Sequence, residues 1–385
     1  MAAAFLALFG VASCVSSGAT ERDQRPIVRI AFLQDLSVPD HVDLVSPSFL
    51  ALDLSIHEHD AELPVEVEVE QLDTGGSPDT AAAIADEVRG DSSYVAAVAA
   101  PFWTEPEQVA NALAAGGIPT FSLSPDSPSP WEHGSGRGSS ELEGSPDELW
   151  RRLVPGQELQ AARLTELIER AADHDDVDGA APVCLLGDGS AYSNELRSLI
   201  DGSLPGNVAR GLPPPDANVD AVRDGCSLEV WTGFPETAVT LAAALEDAGL
   251  GGGRAFDFAA DAMKTVVPPT SPRGDGVVVG SLTCPCADVT LDRSLAARRF
   301  VNLYQADTGL APGIYAAEGW DVGQILASAL RGGVGDRAGM RSFVADLRAH
   351  DGVAGSFEFD AVGELLNPRV GAFVAEGTRW LPLAS

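Results

Sequence analysis

Cys284 and Cys286 flank Pro285 in the stretch SLTCPCADV. Two thiols at that spacing could hold a metal, cycle between dithiol and disulfide, or be oxidised to each other. A second chemistry-bearing run, His57-Glu58-His59-Asp60, has the composition of a metal site, but it falls at the end of an apolar-periodic helix, where charged residues are ordinary. Zinc at the cysteine pair would want two more thiolates or imidazoles, and no CxxC or histidine partner accompanies it. The chain holds no G-x-G-x-x-G, G-x-S-x-G, H-E-x-x-H or P-loop, so no catalytic residue, metal or cofactor is expected.

The compartment decides what thiols do. The chain begins MAAAFLALFGVASCVSSG. Its apolar run is too short to span a bilayer and suits a signal-peptide h-region. The run ends at Val11-Ala12-Ser13-Cys14, which resembles a bacterial lipobox, so residues 1–13 are expected to be a lipoprotein signal peptide and Cys14 the lipidated new N-terminus. Residues 14–26 are polar and unpatterned, as a tether should be. The expected location is extracytoplasmic, with the lipid on Cys14 as the only membrane attachment. A net charge of −33 argues against nucleic acid and against docking on an anionic bilayer.

These features must be carried by a regular scaffold. IVRIAF (27–32) reads as a strand and Pro47 to His57 as a helix; VEVEVE (65–70) alternates as a half-exposed strand does. Ser77 caps a helix that has Pro78 at its first position. Tyr94–Ala100 reads as a buried strand, Glu105–Gly116 as a helix and Ile118–Ser122 as a strand. Residues 123–147 interrupt the rhythm with a Ser/Pro/Gly-rich loop. Alternation resumes with helices at Gln157–Ala172, Ala191–Asp201, Asp216–Asp224 and Pro235–Ala248, interleaved with strands at Val183–Gly187, near Asn207, at Leu228–Thr232, Phe256–Ala260 and Gly276–Ser281. Helices at Asp292–Thr308, Ala316–Arg331 and Arg337–His350 follow, and the C-terminal stretch is β in character. Strands alternating with helices predict an α/β protein of two doubly wound parallel-sheet lobes.

The landmarks together resemble the type I periplasmic binding proteins, specifically the branched-chain amino acid (Leu/Ile/Val) substrate-binding family of ABC transporters, in its actinobacterial lipoprotein form. The resemblance runs over the mature chain: IVRIAFLQDLS, QLDTGGSPDTAAAIADEV, YVAAVAA, GGIPTFSLSPDSP, WRRLVPGQELQAARL, GDGSAYSNEL, WTGFPETAVTLAAALEDAGL, RFVNLYQADTGLAPGIYAAEGWDVGQILASAL and GSFEFDAVGEL. It implies two lobes joined by a three-segment hinge, with crossovers near Leu149–Pro155, Val279–Asp288 and Val353–Asp360. Residues 27–148 and 283–354 would form one lobe, and 149–282 with 355–385 the other. Ligand would bind in the cleft beyond the carboxyl ends of the strands.

The resemblance also nominates site residues. The loop after the third strand, which supplies small hydroxyl residues in the family, reads Phe102-Trp103-Thr104 here, so Thr104 keeps a hydroxyl while Trp103 brings an indole. After the fourth strand come Ser124, Asp126 and Ser127, and an aspartate at that place would repel a carboxylate. Gln34 follows the first strand. In the second lobe Tyr192 matches a tyrosine that closes over ligand, Phe234 lies at the ammonium site, and Asp261 is placed to pair with an ammonium group. An aromatic and acidic cleft suits an amino acid or similar small molecule, cationic ones included. The expected function is capture of such a molecule, by a monomer, for an ABC permease; the alternative is a sensing module of the same fold that presents ligand to a membrane receptor or kinase. With Cys14 given to lipid, four cysteines remain and allow three pairings. In a doubly wound order the strands bearing Cys184 and Cys226 become neighbours, which favours Cys184–Cys226 with Cys284–Cys286. The C-P-C then reads as a stiffened crossover.

Overall fold

The computed structural model describes residues 25–37, 41–102, 106–125, 149–172, 182–206, 208, 210–250, 256–265, 279–290, 292, 294–376 and 379–383. The expectations for Cys14, Trp103, Thr104, Asp126 and Ser127 lie outside them.

The first lobe is built on β1 (Ile27–Gln34), α1 (His41–His57), β2 (Glu66–Asp73), α2 (Pro78–Gly90), β3 (Tyr94–Ala99), α3 (Pro106–Ala115), β4 (Thr120–Ser122) and β5 (Trp150–Arg152). Its five strands are parallel in the order β2-β1-β3-β4-β5. The strictly alternating VEVEVE run becomes the edge strand β2, with one face half-buried, while β3 is buried along its whole length. Ser77 caps α2 by accepting from the Thr80 N–H at 3.3 Å, ahead of Pro78, as the sequence reading required.

The second lobe holds α4 (Gln157–Ala172), β6 (Val183–Leu186), α5 (Ala191–Ser203), β7 (Arg210–Gly211), α6 (Asn218–Gly225), β8 (Leu228–Trp231), α7 (Pro235–Asp247), β9 (Phe256–Ala259) and β10 (Val279–Cys284). Its sheet runs β7-β6-β8-β9-β10 in parallel and ends on two antiparallel strands, β13 (Gly371–Glu376) and β14 (Arg379–Pro382). Between them in sequence, α8 (Leu295–Thr308), α9 (Ala316–Arg331), α10 (Arg337–Asp346) and the hairpin of β11 (Ala349–Asp351) and β12 (Ser356–Glu358) belong to the first lobe. The two helices α1 and α9 lie very close, because Gly319 and Gly323 have no Cβ. A methyl group there would stand 2.2 Å from the Ser48 carbonyl oxygen and 2.5 Å from Ser55 Cβ.

The lobe boundaries differ from the sequence reading in two places. Trp150–Arg152 pairs with β4, so the chain leaves the first lobe after Arg152 and not at residue 149. The third crossover follows Leu365, not Val353–Asp360, because Phe357 and Phe359 are buried in the first lobe's core with Leu365 packed beside them. The helix expected at Arg337–His350 stops at Asp346 for a related reason. The buried Arg151 guanidinium donates to the Val344 carbonyl at 2.8 Å and the Leu347 carbonyl at 3.3 Å, taking up the carbonyls that end the helix. Ala349–Asp351 then pairs with β12 instead.

Cys184 and Cys226 are joined, with Cα atoms 5.7 Å apart, and β6 and β8 are the parallel neighbours that bring them together. Cys284 and Cys286 are joined across Pro285, with Cα atoms 5.1 Å apart.

Candidate functional site

Doubly wound sheets present their loops at the carboxyl ends of the strands, and two sets of such loops meet at one seam here. Asp261 follows β9 on a short 3-10 turn (Asp261–Thr265) and is wholly buried. Its Oδ1 accepts from the Tyr192 hydroxyl at 2.5 Å and from Gln160 Nε2 at 2.7 Å. Its Oδ2 accepts from the Tyr315 hydroxyl at 2.5 Å. Tyr192 and Gln160 belong to the second lobe and Tyr315 to the first, so one carboxylate is bonded across the seam. Burial pushes the Asp261 carboxyl above the usual carboxylate range, and the three donors pull in the opposite direction without overcoming it.

Around this carboxylate stands a shell of rings. Tyr192 opens α5, and its backbone carbonyl accepts from Gln157 Nε2 at 3.0 Å. Phe234 is positioned by Asp188, whose Oδ2 accepts the Phe234 N–H at 2.7 Å. The Tyr192 and Phe234 rings lie 5.2 Å apart. From the first lobe, the His41 ring sits 4.6 Å from Phe234. Phe102, from the loop after β3, meets Tyr192 at 5.4 Å, Phe234 at 5.8 Å and Tyr315 at 5.7 Å, edge-on in each case. Phe102 and Tyr315 both adopt φ 59°, and they are the two non-glycine residues with positive φ among those described. That backbone costs each of them about 1–2 kcal/mol, which persists only where surrounding packing fixes it.

Gln34 is the last residue of β1 and Ser124 follows β4, and both are buried. The structure therefore brings together Tyr192, Phe234 and Asp261 of the residues nominated from sequence. It adds four that were not nominated: Phe102, Gln160, Tyr315 and His41. Phe102 had been read as a departure from a small-residue loop. Tyr315, in GIYAAEG, precedes α9 directly, and a hydroxyl-bearing ring at a helix entry was the available signal. Gln160 gave none beyond its place one turn into α4.

Behind the seam lies a second polar cluster, at the crossovers. Lys264, on the same turn as Asp261, has its ammonium 3.6 Å from Cys286 Sγ, 3.6 Å from Asp288 Oδ2 and 4.1 Å from the Phe373 ring centroid. Burial lowers its pKa, with Asp288 and Glu318 opposing. Glu318 of α9 accepts the Ala287 N–H at 2.6 Å through Oε1, while its buried Oε2 has no hydrogen-bond partner among the described residues. Burial raises the Glu318 carboxyl to about 7. Arg152 pairs with Glu364 at 3.0 Å, and its N–H donates to the Gly363 carbonyl at 2.9 Å, tying the first crossover to the segment before the third. A groove of about 1020 Å³ runs along all three crossovers, with Glu318 and Cys286 in its wall. His57 and His59 take no part in either cluster. His57 Nδ1 bonds the Asp53 carbonyl of its own helix, and His59 Nε2 faces Gln324.

Two parallel-sheet lobes, linked by three crossovers and closed on a buried aromatic and acidic seam, define a bilobal clamp. The family model described as periplasmic binding protein matches residues 27–367, and the chain belongs to that family. Among solved structures it is similar to a leucine binding protein LivK from Thermotoga maritima, with 16% identity and a TM-score of 0.69 over 93% of this chain and 98% of that one. It is also similar to the branched-chain amino acid transporter substrate binding protein LivJ from Streptococcus pneumoniae, in complex with isoleucine (14% identity, TM-score 0.66, 92% and 97% covered). A third likeness is to an ABC transporter solute binding protein from R. palustris in complex with benzoate (13% identity, TM-score 0.68, 93% and 95% covered). No curated protein matches the chain in sequence.

Proposed function

We propose that the chain is an extracytoplasmic solute-binding protein, lipid-anchored through Cys14, which captures an amino acid or similar small molecule between its lobes and delivers it to an ABC importer. The observation that carries this reading is Asp261: a buried carboxylate at the seam, bonded from both lobes, and walled by aromatic rings. A carboxylate with a raised pKa is poised for an ammonium group, since an incoming cation restores the charged form that burial disfavours. The rings of Tyr192, Phe234 and Tyr315 add faces on which a cation or an apolar side chain can rest. Gln34, Ser124 and the loops bearing Trp103, Thr104, Asp126 and Ser127 are proposed as the first lobe's share of the site.

Membership of the family supports the clamp. The leucine, isoleucine and benzoate named for the three similar structures indicate the size of molecule that this architecture takes. No helix among the described residues is long and apolar enough to cross a membrane.

A thermal-shift screen against amino acids, polyamines, betaines and short peptides tests the reading. An ammonium-bearing solute is expected to raise Tm in the wild type and to lose that effect in Asp261→Asn. A screen in which no class moves Tm defeats the proposal.

A further inference from the structure

Phe102 has a place in the molecule that its position in the chain does not require. It sits three residues past the end of β3, a strand of the first lobe. Yet its ring is buried among residues of the second lobe's core: Tyr192 and Phe234 on one side, with Tyr315 completing the enclosure. It reaches there through a left-handed backbone, φ 59°, that side-chain-bearing residues rarely adopt. The three rings stand at interplanar angles of 88°, 74° and 81° to it, the edge-to-face arrangement in which aromatic rings attract. Two of them, Tyr192 and Tyr315, are also the hydroxyl donors to Asp261. The ring of Phe102 thus fills a slot with aromatic walls and a carboxylate at its base.

We infer that Phe102 is a resident occupant of the cleft: it stands where the side chain of a captured molecule would stand, so the lobes close on the protein's own residue, and a solute enters only when Phe102 leaves. The inference rests on the proposal that the seam is the capture site, and it names what can compete. The slot is shaped for one benzene-sized ring, and Asp261 below it accepts hydrogen bonds. The competing class is therefore an aromatic ring carrying an ammonium group, an arylalkylamine or aromatic amino acid. Branched aliphatic side chains fit a slot between three rings less well, because they lack the ring with which edge-to-face pairs form.

The test uses Phe102→Ala and Phe102→Leu in the full chain, with benzylamine and phenylalanine as probes. Phe102→Ala vacates a ring-sized space, and apolar cavities of that size take up aromatic molecules. It is expected to bind benzylamine about tenfold or more tightly than the wild type, since the probe no longer displaces a covalently held ring. Its Tm should rise with the probe by more than the wild type's does. Phe102→Leu, which keeps most of the bulk, should remain near the wild type. Equal probe affinity in wild type and Phe102→Ala overturns the inference. The proposed function fails separately. If Phe102→Ala takes benzylamine while no solute in the wider screen binds either form, the resident ring stands and solute capture does not. If the wild type captures a solute that Phe102→Ala binds no better, the reverse holds.

Discussion

The seam and the crossovers each bury a carboxylate, and the two are served in opposite ways. Asp261 has a donor on each oxygen and three in all, drawn from both lobes. Glu318 has one backbone N–H on one oxygen and, among the described residues, no hydrogen-bond partner on the other. The surroundings differ too: the rings of Phe102, Tyr192, Phe234 and Tyr315 gather at the seam, whereas the crossovers border an open groove. A short turn links the regions, with Asp261 facing the seam and Lys264, three residues on, facing the crossovers. The contrast lies in the two carboxylates themselves: both oxygens of Asp261 are bonded, whereas Glu318 is bonded through one. The seam also holds unpartnered atoms among the described residues, including Gln160 Oε1 and His41 Nε2.

The largest effect that would break this contrast is expected from Asp261→Ala. It strands two tyrosine hydroxyls and an amide in a dry seam, and about 3–5 kcal/mol of unfolding free energy should be lost in urea denaturation. A loss no larger than that of an average surface substitution would show that the seam is not satisfied as described.

Glu318→Gln addresses the other region through pH. The folded-state pKa of Glu318 is raised from 4.5 to about 7. The protonated form therefore favours the fold, the contribution is complete below pH 4.5, and it is lost as pH rises through 7. For a fully buried group the shift corresponds to about 3 kcal/mol. Asp261 and Asp321 are also raised by burial and add slopes of the same sign. The difference between wild type and variant isolates Glu318: Tm of the variant should fall less steeply between pH 4.5 and 7. Parallel curves would remove Glu318 from the account.

Smaller again are Tyr315→Phe and Tyr192→Phe, each expected to cost about 2 kcal/mol because a buried acceptor loses a donor. Because both serve one carboxylate, the double variant should depart from additivity. Strict additivity in a denaturation cycle would mean that the two hydroxyls act independently. The smallest effect is expected from Cys284→Ser combined with Cys286→Ser, about 1 kcal/mol, since a disulfide spanning two residues removes little chain entropy. A loss several times larger would place the crossover, not the seam, at the centre of stability.

Much of this was legible in the chain. Helix α9 spans Ala316–Arg331 and α4 spans Gln157–Ala172 as their periodicity indicated, and α3 is one residue shorter at each end than Glu105–Gly116. Periodicity reports which face of an element is buried, and in these segments it dominates. Where tertiary contacts decide, the sequence was silent: nothing near Trp150 says that it will pair with β4, and nothing in Arg337–His350 says that Arg151 will end the helix at Asp346. The site shows the same division. Asp261, Tyr192 and Phe234 stand in the turns and helix starts that follow strands, where family resemblance and the doubly wound plan both point. Tyr315 and Phe102 reach the seam through left-handed backbones, and a positive φ at a residue other than glycine leaves no compositional mark.

The C-P-C crossover bears on how the molecule must be prepared. Its sulfurs pair only where thiols are oxidised, and Cys286 touches the ammonium of a lysine three residues from the seam carboxylate. Protein produced in a reducing cytosol would carry two free thiols at this joint, and possess a looser segment between its halves. Affinities measured on such material would describe a different hinge from the one that works outside the cell, so the redox state of Cys284 and Cys286 belongs among the recorded conditions of any binding assay.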